Sequence, residues 1–240
     1  MRPAFRIFCI LLCLLCVTPV MQAQQPPVPA PASSGFNLTA EDLKDSRAVG
    51  NLETLCRVWG YAKYHHPFFC DTLCRVDVDS ALFALLPRVV HADRVTRNRH
   101  LLDWVRSLGD YTPNRVEYEQ ALASYDLVGT TDLGWTADTV LLGGELSKLL
   151  QDLRYAERDE NYYLRLGQPD QGPDYQYLSL RGESFYPTPQ MDSGLNLLLL
   201  FRLWNVIEYY APYRAVTLHP WNEVLSTYIP LMGVETDGRR

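Results

Sequence analysis

A 17-residue stretch occurs twice in this chain, and any fold it adopts must accommodate both copies. Leu52–Phe68 aligns with Leu197–Tyr213 at a constant offset of 145, with Leu, Leu, Arg, Trp, Tyr and Pro identical. Average composition predicts roughly one identity over such a span, so six point to a duplicated unit. After a two-residue gap the match resumes: Val78–Leu82 and Leu86–Pro87 parallel Trp221–Leu225 and Ile229–Pro230. Each copy therefore reads as a helix ending at proline, a loop, and a shorter helix ending at a second proline.

The shared residues fall on helical faces. Leu52, Leu55, Trp59 and Ala62 stack on one side, as do Leu197, Leu200, Trp204 and Ile207, giving each helix an apolar ridge. Arg57 and Tyr64 lie seven apart, as do Arg202 and Tyr209, which lets an arginine stem lie along aromatic surface, and Glu53 sits one turn before Arg57 as its candidate ion partner. The spacing favours Arg57, Trp59, Tyr64, Pro67, Arg202, Trp204, Tyr209 and Pro212 as packing anchors of two related hairpins. The competing reading places both Arg-Trp-Tyr sets around one ligand groove.

Elsewhere the periodicity predicts helices from Thr39 with a break near Gly50, over 78–90, over 95–108 with Gly109 as stop, around 116–124, and over 145–158. The period shifts toward two at Tyr162–Leu166 and Tyr175–Leu180, around a turn-rich segment, which predicts a long-looped hairpin. Helices over 193–211 and 221–229 complete a mainly α (α+β) fold, with repeat units at 52–90 and 197–232 inside a helical domain spanning 37–240. Residues 1–23 read as a signal peptide: Arg2 and Arg6 precede an apolar core at 7–17, too short for a membrane helix of about 20 residues, and Ala23 offers a cleavage point. Residues 24–36 form a proline-rich linker. Export implies a periplasmic or secreted protein.

Removing the leader takes the net charge from −6 to −8 and the cysteines from six to Cys56, Cys70 and Cys74, so a disulfide framework is excluded. An acidic chain of this kind is not expected to coat nucleic acid. His65, His66, Cys70 and Cys74 fall within ten residues, a spacing compatible with zinc, with a disulfide or with unpaired thiols. The zinc pattern is weak, and no metal or cofactor is assigned. Gly143-Gly144 precedes a helix but lacks the Lys-Ser/Thr of a phosphate loop. No serine lies in a nucleophile elbow, and Lys44, Lys63 and Lys148, the only lysines, lack a Gly-Ser context. No catalytic set is expected.

The passages Arg57–Pro67, Leu102–Trp104, Gly144–Leu146, Asn161–Tyr163, Leu200–Tyr213, Trp221–Leu225 and Tyr228–Pro230 resemble, in order, the N-terminal region of secreted tail-specific (C-terminal-processing) serine peptidases of Bacteroidetes type. In that family the region precedes a PDZ-like peptide-binding module and a catalytic domain with a Ser-Lys pair. The resemblance therefore implies an exported, non-catalytic accessory region, expected here as a truncated chain whose partners are a downstream peptidase domain or a protein substrate. The alternative expectation is a stand-alone helical module that binds a peptide or glycan. A small zinc hydrolase is a third, lesser reading. No stable membrane span is expected once the leader is removed.

Overall fold

The computed structural model describes residues 33–70, 77–123, 131–167, 177–186, 191–211 and 220–235. Residues 1–23, read above as a leader, lie outside these residues, as do the expected linker up to residue 32, Cys74, Ser124, Pro212 and the loop of the hairpin. The chain divides into Met1–Ala30 and Pro31–Arg240, and every described element belongs to the second unit.

Aspartate sets most of the helix starts. α1 (Ser46–His65), α2 (Val78–Val89), α3 (Arg94–Ser107), α5 (Thr139–Leu153) and α6 (Ser193–Tyr210) begin after Asp45, Asp77, Asp93, Asp138 and Asp192. Each of these carboxylates accepts one or two N–H groups that the first turn leaves unpaired. α4 (Arg115–Ala123) and α7 (Val224–Met232) complete the helices. The predicted start at Thr39 is corrected: Thr39 bonds Asp42 across a single 3-10 turn at Asp42–Lys44, and α1 begins later and runs through Gly50 unbroken. Pro87 and Pro230 lie inside the last turns of α2 and α7 and do not end them. α5 starts six residues before the predicted 145 because a kink at Gly143 joins two helical pieces.

The mainly α fold is as expected. Its β element is a two-stranded antiparallel hairpin, β1 (Leu164–Gly167) and β2 (Tyr177–Leu180), with Leu164 opposite Leu180. Among the described residues no helix is long and apolar enough to cross a membrane.

The two repeats build the centre of the molecule. α1 packs on α2, α6 and α7, while α6 packs on α7, α1 and α2, so each long helix touches both short ones. The ridge Leu52, Leu55 and Trp59 and its counterpart Leu197, Leu200 and Trp204 are buried, as are Leu82, Leu86, Leu225 and Ile229. α1 and α6 lie side by side and point the same way: Arg57 lies over Trp204, Gly60 meets Asn205, and Tyr64 meets Tyr209. Gly60–Asn205 and Tyr64–Tyr209 are pairs related by the offset of 145. A position that touches its own counterpart lies next to an internal two-fold axis, as at an isologous dimer contact. Gly60 is required at this crossing, since a Cβ there would collide with the side-chain amide of Asn205.

Hydrogen bonds recur with the repeat. Trp59 Nε1 donates to the carbonyl of Val78 at 2.9 Å, and Trp204 Nε1 donates to that of Trp221 at 3.2 Å. Asn51 Nδ2 reaches the carbonyl of Ala92, and Asn196 Nδ2 reaches that of Glu235. Both donors are 145 apart and both acceptors 143 apart, the two offsets of the alignment.

Candidate functional site

The tyrosines at the C-terminal ends of α1 and α6 converge on the internal axis. Tyr64 and His65 from one copy, and Tyr209 and Tyr210 from the other, line a groove of about 330 Å³. Thr131, the segment Arg158–Asn161 and Leu164 complete its walls. The rings make edge contacts, Tyr64 with Tyr209 at 6.1 Å and with Tyr210 at 5.4 Å between centroids, and His65 lies 4.9 Å from Tyr209. Asn161 fixes one wall: its Nδ2 donates to the carbonyl of Lys63, and its Oδ1 accepts from the N–H of Tyr163.

The hydroxyls of Tyr64 and Tyr209 are buried without a hydrogen-bond partner. An unpaired buried hydroxyl costs on the order of 1–3 kcal/mol, so the ends of these two side chains favour a ligand that accepts hydrogen bonds. His65 Nδ1 lies 3.0 Å from the carbonyl of Tyr61, so Nδ1 carries the proton and Nε2 is left as an acceptor. Burial, with a smaller contribution from the Arg158 guanidinium, pulls the His65 pKa down to about 3. The imidazole is therefore neutral at pH 7. Burial also raises Tyr210 to about 12 against the opposing pull of Arg158. The groove thus sets the neutral donors and acceptors of its aromatic side chains beside the charged Arg158, Asp159 and Glu160, which line it too.

A few residues away lies a balanced ionic cluster that sequence patterning missed. Lys63, 0% exposed, ion-pairs with Glu183. Arg202 pairs with Asp79 and its Nε lies 2.8 Å from Glu183 Oε2. Tyr186 donates to Asp79 at 2.9 Å, and the Lys63 ammonium stands 4.4 Å from the centre of the Tyr163 ring. Burial pushes Lys63 below its usual pKa against the pull of Glu183, and pushes Asp79 up against Arg202. Two cations and two anions leave no net charge inside. Gly182, at φ +64°, turns the chain after β2 so that Glu183 reaches the helices, and a Cβ there would strike the Tyr162 ring. The sequence signal available was Lys63, set next to Ala62 at the end of the apolar ridge of α1.

The anchors thus separate in role. Trp59 and Trp204 are core residues that hold their own hairpins, and Tyr64 and Tyr209 combine packing with the groove. Arg202 belongs to the ionic cluster, whereas Arg57 makes no ion pair with Glu53 and reaches across to Trp204 at 5.6 Å. Arg57 and Trp59 do not line the groove, so the reading that put both complete Arg-Trp-Tyr sets around one ligand is corrected to the two tyrosines. Pro67 opens a 3-10 turn at Pro67–Cys70 directly after α1.

His65 and His66 diverge: His66 Nδ1 accepts the N–H of Phe68, and burial lowers its pKa to about 4. Among the described residues no three His, Cys, Asp or Glu side chains converge as a metal site. The three lysines each face a carboxylate, Lys44 with Glu41, Lys63 with Glu183 and Lys148 with Asp152. No protein-family model, curated protein or solved structure matches the chain.

Proposed function

We propose that this chain is an exported, non-catalytic accessory region of a tail-specific-type serine peptidase, and that it holds extended polypeptide in the groove between Tyr64 and Tyr209. The observation that carries the reading is the groove lined by the equivalent Tyr64 and Tyr209, whose buried hydroxyls have no hydrogen-bond partner. Extended peptide presents carbonyl oxygens that such donors satisfy, and aromatic walls bury its side chains. Lysines that all face carboxylates fit a scaffold better than a Ser-Lys nucleophile.

The test adds a permanently unfolded protein to the purified chain and follows thermal unfolding and cleavage together. A Tm that rises with ligand concentration, without cleavage, is the expected result. The rise shrinks when Tyr64 and Tyr209 are both replaced by Phe. Cleavage abolished by a serine-directed inhibitor overturns the non-catalytic reading. A Tm that does not move, or a response to oligosaccharide alone, overturns the peptide reading, the latter in favour of a glycan module.

A further inference from the structure

We propose that the exposed apolar face of α6 and α7 receives an amphipathic helix from a partner polypeptide, in the place that α3 takes on α1 and α2. The inference rests on a difference between the copies and is independent of the tyrosine groove. In the first copy α3 packs against both α1 and α2. There Thr54 and Val58 on α1 are 2% and 0% exposed, and Leu85 on α2 is 4% exposed. Their counterparts at the same offsets are Leu199 and Leu203 on α6 and Tyr228 on α7. These are 48%, 59% and 48% exposed. The second copy carries larger apolar side chains than the first, yet leaves them bare.

The shape and chemistry of the occupant follow from the covered copy. Asn51 binds the carbonyls of Val89, Val90 and Ala92 through Nδ2, and its Oδ1 accepts from Arg97 of α3 at 3.1 Å. Asn196 binds the equivalent carbonyl of Glu235, but no donor from the described residues faces its Oδ1. Arg97 is followed on α3 by the buried residues Leu101, Leu102 and Val105. A partner helix therefore presents an arginine for Asn196 and apolar side chains four and eight residues later toward the face of Leu199, Leu203 and Tyr228. A basic helix like α3, which carries Arg94, Arg97, Arg99 and Arg106, also complements a chain of net charge −6.

The probe is a labelled synthetic peptide with the sequence of residues 93–108, added to the full chain and followed by fluorescence anisotropy. Saturable binding is expected, weakened about tenfold or more by Leu203→Asp, since a buried charge in an apolar contact costs over 1.4 kcal/mol. Leu180→Asp, at an exposed site on β2, leaves binding unchanged, and circular dichroism of both variants reports whether the fold is retained. Absence of saturable binding, or equal loss in both variants, overturns the proposal. So does a two-chain mass by light scattering that Leu203→Asp reduces to one, which assigns the α6–α7 face to a second copy.

Discussion

The two hairpins share a scaffold and differ in what surrounds it. Both anchor a tryptophan indole on an equivalent carbonyl, that of Val78 at the start of α2 and that of Trp221 three residues before α7. Both use an asparagine to hold the chain as it leaves the second helix. The first copy adds a buried lysine and an acid, Lys63 and Asp79, where the second has Glu208 and Asn222. It is also roofed by α3. Duplication thus preserved the hydrogen bonds that define each hairpin, while the ionic cluster and the roof belong to one side of the axis. A repeated sequence specifies a unit, and the surroundings decide which of its faces is core.

The largest effect expected from breaking this asymmetry lies at Asp79. Asp79→Ala removes a buried carboxylate from Arg202 and Tyr186, and urea unfolding should show a loss of about 3–5 kcal/mol. The equivalent Asn222→Ala, at an exposed position, should change little. A similar loss in both variants would mean that the cluster is no more than an ordinary polar surface.

Next is the crossing on the axis itself. Gly60→Ala should destabilise by about 1–3 kcal/mol despite the better helix propensity of alanine, because the new methyl group meets Asn205. Asn205→Ala in the same chain should recover part of that loss in a double-mutant cycle. Additivity of the two substitutions would show that the helices do not meet there.

A further difference separates the copies by pH. His65 and His66 titrate near 3 and 4 when folded and near 6.5 when unfolded, so the unfolded chain binds more protons between these values. Their contribution is fully present above pH 6.5 and declines as pH falls toward 4. The second copy has Tyr210 and Ala211 at these positions and adds no such slope. Replacing both histidines with Tyr and Ala should flatten stability between pH 6.5 and 5, measured by urea midpoints. A slope that persists unchanged would place the pH dependence elsewhere.

Much of this architecture was legible because it is local. Leu52, Leu55 and Trp59 repeat at helical spacing, and at the offset of 145 Leu197, Leu200 and Trp204 are buried as well. Ile207 of the same ridge is half-buried, however, and Leu199 and Leu203 are exposed where Thr54 and Val58 are covered. The hairpin was visible as alternation in Tyr162–Leu166. The ionic cluster was not, because its members come from positions 63, 79, 183 and 202, and no periodic pattern connects them. The helix starts were misread at Thr39 because several Asp, Ser and Thr residues compete there, and only geometry shows that Asp45 meets the free N–H. The convergence of Tyr64 and Tyr209 depends on α1 and α6 lying parallel, a relation that identical local sequences leave open.

That parallel packing also has a consequence for how the chain folds. α1, α2 and α3 are close neighbours in sequence and can associate early, whereas α6 must return to α1 across about 145 residues. Loop-closure entropy rises only with the logarithm of the span, but the burial that offsets it comes late. Until β2 and α6 have formed, Lys63 lacks Glu183, and the apolar side of α1 that meets α6 is open to water. A ribosome releasing this polypeptide thus exposes a half-built core for most of its synthesis, which makes the first hairpin the part most in need of protection from aggregation.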